Sequence, residues 1–96
     1  MKRKTPFKIS RCESFGKMVH YDFTTKDEIM NQIMKWITQF VEFNQIKSKT
    51  DRSLTVYLKE MTDIYAKFLD HYDLTYNFTL YHNRVADVLR EHGVGS

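Results

Sequence analysis

The chain has 96 residues, of which 42% are hydrophobic, 28% charged and 15% aromatic, with three Gly and one Pro. That length holds one small domain, and the composition excludes simple disorder, collagen-like repeats and low-complexity designs. Net charge is +3 but unevenly placed: residues 1–17 carry six basic side chains against one acid, and the remainder nine against eleven.

Seven Phe, six Tyr and one Trp supply the bulk that so short a chain needs, since each ring side chain buries about 150–250 Å². The single Cys, Cys12, leaves no partner for an internal disulfide and no Cys-based zinc site. A lone thiol suits a reducing compartment, so the expected location is cytoplasmic. Met1–Pro6 is basic, but no apolar stretch follows it, and no secretory signal is expected. The longest uncharged stretch runs from Leu74 to Asn83. It is about half of what a spanning helix requires, so no membrane partner is expected.

In chain order, residues 1–6 form a basic arm and residues 7–23 a β-hairpin. Phe7–Cys12 alternates apolar with polar, and Val19, Tyr21 and Phe23 share one face of the second strand. Gly16 supplies the positive φ that the turn between them demands. Thr25 caps the first helix, and Glu28 three residues on completes a capping box. Ile29, Ile33, Ile37, Phe40 and Val41 recur at helical spacing beside Met30 and Met34, so this helix is expected over 25–46. Asp51 or Thr50 starts a second helix over 51–72, with Leu54, Leu58, Met61, Tyr65, Phe68 and Tyr72 in one stripe. Thr75 is the expected cap of a third helix over 76–92, which carries Phe78, Tyr81, Val85, Val88 and Leu89 on one face. Gly93 follows it as a natural terminator, and Val94–Ser96 is expected to fray. The predicted class is α+β, mainly α: an N-terminal β-hairpin followed by a three-helix antiparallel bundle, all within one domain spanning 1–96.

No motif in the chain carries chemistry. His20, His71, His82 and His92 are spread over a strand and two helices without metal-ligand spacing. Asp70 and Asp73 bracket His71, and with His82 they form the best catalytic or metal-binding combination, but acids at a helix end are usually solvated. There is no Gly-rich phosphate loop and no nucleophile elbow. No catalytic residue, metal ligand or cofactor is therefore assigned, and the protein is not expected to be an enzyme.

Two features remain. The first is basic charge: Lys2, Arg3 and Lys4 in the arm, Lys8, Arg11 and Lys17 in the hairpin, and a second cluster of Lys47, Lys49 and Arg52. A basic ribbon and arm fit the grooves of duplex DNA, which makes a nucleic-acid-binding regulator the alternative function. The bland reading is a solubilising terminus. The second is a set of rings left over once the core stripes are assigned: Trp36, Phe43 and Tyr76, with Phe15 at the turn. Trp and Tyr are typical interface anchors, so these four are the expected protein-binding residues, for a protein partner or a homo-oligomer. The competing explanation is a broad core that uses two faces of the first helix. The leading expectation is a small non-enzymatic binding protein that acts by occupying a macromolecular surface. Its size and Lys/Ile/Asn/Tyr/Phe-rich usage resemble those of phage or mobile-element accessory proteins, a class that would inhibit or modulate a host protein.

Overall fold

The structure, a computed structural model, describes residues 5–13 and 16–95. It is α+β, mainly α. An antiparallel hairpin, β1 (Phe7–Cys12) and β2 (Met18–Phe23), is followed by α1 (Lys26–Phe43), α2 (Arg52–His71) and α3 (Thr79–Glu91). The register pairs Phe7 with Phe23, Ile9 with Tyr21 and Arg11 with Val19. The period-two alternation turns these six residues inward and leaves Lys8, Ser10, Met18, His20 and Asp22 exposed. A hairpin of this size has little stability alone. Here its inner face lies on the helices: Phe7 meets Phe68 edge-on at 5.8 Å, and Tyr21 meets Trp36 edge-on at 5.1 Å.

α1 is the central element, packed against both other helices and against β2. Ile29, Ile33 and Ile37 are fully buried on it, and Met30, Met34, Trp36 and Val41 nearly so. They join Leu54, Met61, Phe68, Leu69, Tyr81 and Leu89 in one apolar cluster. Tyr65 of α2 stacks on Tyr81 of α3 with centroids 4.7 Å apart, closing the core between those helices.

The helix starts follow local chemistry. Thr25 accepts from the Glu28 amide while Glu28 accepts from the Thr24 and Thr25 amides, so the capping box is complete. Asp51, not Thr50, caps α2, accepting from the amides of Ser53 and Leu54. The third start departs from expectation. Thr75 is not a cap; α3 begins at Thr79 behind Phe78, which makes no side-chain cap bond. An Asx turn wins locally: the Asn77 carbonyl oxygen accepts from the Thr79 amide at 3.0 Å.

All three helices end alike. Gln45, Asp73 and Gly93 each take a positive φ. The next residue then donates back to the last full turn: Ile46 to Val41, Leu74 to Leu69 and Val94 to Leu89. This is the Schellman termination, in which a left-handed residue lets the chain satisfy orphan carbonyls. The expected ends at Ile46 and Tyr72 therefore shorten to Phe43 and His71. The C-terminal segment is also corrected. Val94 is buried, and Gly95 forms a parallel bridge to Ser48, with its amide bonded to the Lys47 carbonyl and its carbonyl to the Lys49 amide. This segment straps the α1–α2 loop instead of fraying; Ser96 lies outside the described residues.

Candidate functional site

Trp36 was expected to anchor a partner, and the structure corrects that assignment. It is 3% exposed, because the hairpin covers the second face of α1. Tyr21 and Phe23 meet its ring edge-on, the Arg11 guanidinium lies 4.7 Å above it, and its indole N–H donates to the Glu13 carboxylate at 3.2 Å. Tyr21 donates to the same carboxylate. Burial first, and then this bond to Glu13, hold the Tyr21 hydroxyl above its ordinary pKa. Trp36 is thus the pivot between sheet and helices, as the broad-core explanation requires.

Phe43 and Tyr76 do project, being 87% and 60% exposed. They are not brought together. Phe43 closes α1, whereas Tyr76 follows α2 on the loop whose Leu74 lines a cleft with Thr24–Asp27 at the start of α1. The 18 residues of α1, at 1.5 Å each, separate these ends by about 27 Å. Phe15, Lys2, Arg3 and Lys4 lie outside the described residues.

At the α1–α2 end, Phe43 has apolar neighbours that the periodicity alone does not single out. Phe40 and Tyr57 stack face to face at 4.1 Å, tying α1 to α2. Two adjoining open clefts of about 480 and 500 Å³ share this stacked pair. Phe43 lines the first and Val56, 63% exposed, lines the second. Val56 has a faint sequence signal, an apolar residue on the otherwise polar side of α2. Burial also raises the Tyr57 hydroxyl above its ordinary pKa, against the pull of Arg11.

The basic residues divide into two groups. Lys8 pairs across the hairpin with Asp22 at 3.3 Å, and Arg11 is turned inward and pairs with Glu60 at 3.2 Å. Their charge is spent within the molecule, and the outer face of the ribbon is mixed. Lys17, Lys47, Lys49 and Arg52 are exposed and have no ion-pair partner among the described residues. Arg52 lines the Val56 cleft, and Lys47 and Lys49 lie on the loop joining the two helix ends that carry Phe43 and Arg52.

A larger cleft, of about 790 Å³, lies at the opposite end between Met30, Tyr65, Phe68 and Leu80. His71 points elsewhere, its Nε2 2.7 Å from the Thr5 carbonyl, and His82 rests beside the Phe78 ring. Among the described residues, no three His, Cys, Asp or Glu side chains converge on a point that could hold a metal ion, and no helix is long and apolar enough to cross a membrane. Comparison with known protein families, with curated proteins and with solved structures finds no match to this chain.

Proposed function

We propose that this protein is a small non-enzymatic binding module that acts by occupying the surface of another protein, and that its docking face is the Phe43–Phe40–Tyr57–Val56 surface. The observation that carries the proposal is the state of Phe43: a large ring 87% exposed, on the last turn of a helix whose opposite side is fixed in the core. Exposing such a ring on a rigid element costs solvation without adding stability, and rigid aromatic anchors of this kind dominate interface energetics. The stacked Phe40–Tyr57 pair and the two clefts beside it offer the flanking surface that excludes water around an anchor. A cytoplasmic setting suits the single exposed thiol, Cys12.

The test is affinity capture from lysate of the cells that express the protein, using the natural chain, Phe43→Ser and Tyr76→Ser in parallel. A protein retained by the natural chain and by Tyr76→Ser but lost with Phe43→Ser is the expected result. Equal retention by all three contradicts the assignment of the face.

A further inference from the structure

The geometry points to a binding site for a small uncharged ligand, with an apolar body and a hydroxyl or carboxamide end, in the cleft between the start of α1, the later turns of α2 and the start of α3. The inference stands apart from the Phe43 face, which lies at the other end of α1. The cleft measures about 790 Å³, within the size range of small-molecule sites. Its apolar lining is Met30 and Phe68, both buried, with Leu74 and Leu80 beside them, 37% and 59% exposed. One wall is cut from the uncharged stretch Leu74–Asn83, whose Asn77, Thr79 and Asn83 add amide and hydroxyl groups.

Tyr65 is the polar group that marks the cleft as a site. The residue is 2% exposed, and its ring is held by the stacked Tyr81 ring and by an edge-on contact with Phe78. Yet Tyr65 lines the cleft, and its hydroxyl neither bonds to any described residue nor is sealed from solvent as the Tyr81 hydroxyl is. A rigid, almost wholly buried side chain thus presents one unpaired donor to the cleft. Burial, and after it the negative charge of Asp27, raise this hydroxyl above its ordinary pKa, so it stays protonated and able to donate at neutral pH. The charged side chains among the lining residues, Lys26 and Asp27, are chain neighbours of opposite sign. An ionised ligand would lose hydration against Met30, Phe68 and Leu80 with no net counter-charge to replace it. A neutral one covers the apolar part and takes its orientation from Tyr65.

The experiment is a titration of the full chain, followed by two-dimensional amide NMR, with four matched probes. Naphthylmethanol carries the hydroxyl, methylnaphthalene lacks it, and naphthoate and naphthylmethylammonium are the anionic and cationic counterparts. The variants are Tyr65→Phe, which keeps the ring, and Leu80→Lys on the exposed rim; circular dichroism confirms that both fold. The expected result is naphthylmethanol shifting amides within residues 24–30 and 74–83 and binding about fivefold tighter than methylnaphthalene, the worth of one net hydrogen bond. That preference should vanish in Tyr65→Phe, and both probes should lose the site in Leu80→Lys. No binding, or shifts centred elsewhere, overturns the site. Equal binding of the two neutral probes by the natural chain, or a preference that survives Tyr65→Phe, overturns the role of the hydroxyl. Tighter binding of either charged probe overturns the uncharged class. A lysate protein captured by the natural chain but lost with Leu80→Lys, or self-association by light scattering lost in that variant, overturns the small ligand in favour of a docked protein or a second copy.

Discussion

At the scale of single residues, three rings show how exposure decides consequence. Trp36 joins hairpin to helices, and Trp36→Ala should cost about 3–5 kcal/mol, as large aromatic truncations in cores do; urea denaturation measures it. That substitution weakens the fold rather than probing a surface. Phe43→Ser should leave stability within about 0.5 kcal/mol, the usual range for exposed positions, in the same assay. Tyr81 is the third case. Its ring is 1% exposed, and its hydroxyl finds no hydrogen-bond partner among the described residues. Burial holds that hydroxyl above its ordinary pKa, against the pull of the neighbouring Thr62 side chain. A buried hydroxyl whose neighbour falls short of good hydrogen-bond geometry recovers little of its desolvation penalty, so Tyr81→Phe should be neutral or stabilise the fold by up to about 1 kcal/mol, read from the melting temperature. The sequence could not separate Trp36 from Phe43. Both lie off the main apolar stripe of α1, and what differs is that the hairpin reaches one and not the other. That outcome depends on long-range packing, which helical periodicity does not encode.

At the scale of elements, the helix ends govern both stability and legibility. The capping box of α1 was readable because Thr25 and Glu28 act through bonds three residues apart. The Schellman ends of α1 and α2 were not, because Gln45 and Asp73 stand where Gly announces such a turn, and only Gly93 carries the usual signal. A left-handed residue other than Gly costs about 1–2 kcal/mol. Gln45→Gly should therefore stabilise the protein by up to about 1 kcal/mol, read from the urea midpoint. The burial of Val94 has a related origin: the residue after a left-handed turn commonly packs back on its helix, which proximity to the chain end conceals in the sequence. Val94→Ala should cost a sizeable part of the roughly 1.5–3 kcal/mol that burying such a side chain contributes. The caps also set the acid response. Hydrogen bonds from the Thr24 backbone and side chain hold Glu28 below its ordinary pKa, and the Ser53 hydroxyl does the same for Asp51. A carboxylate whose pKa is lower folded than unfolded stabilises above its unfolded value and loses that contribution as pH falls through the folded one. Stability should hold at neutral pH and decline below about pH 4. The double variant Glu28→Gln/Asp51→Asn should begin lower and show a shallower acid limb.

At the scale of the whole molecule, the order of strands and helices and the identity of the core were visible in apolar periodicity, and the architecture follows it. The proposed docking surface is only half visible in the sequence. Phe43 stands out there, but the Phe40–Tyr57 stack and the clefts it lines with Phe43 and Val56 arise only when α2 folds back on α1. The same folding removes Lys8 and Arg11 from the basic surface by pairing them with Asp22 and Glu60. A ribbon that is basic in sequence is thereby mixed in space, which turns attention from the hairpin to the α1–α2 end. The most direct measurement is amide hydrogen exchange of the full chain with and without the protein captured through Phe43. The account predicts slowed exchange over residues 39–60, spanning the end of α1, the connecting loop and the first turns of α2, with the hairpin and α3 unchanged. Protection centred on the hairpin, or on the Leu74–Leu80 end, would contradict it.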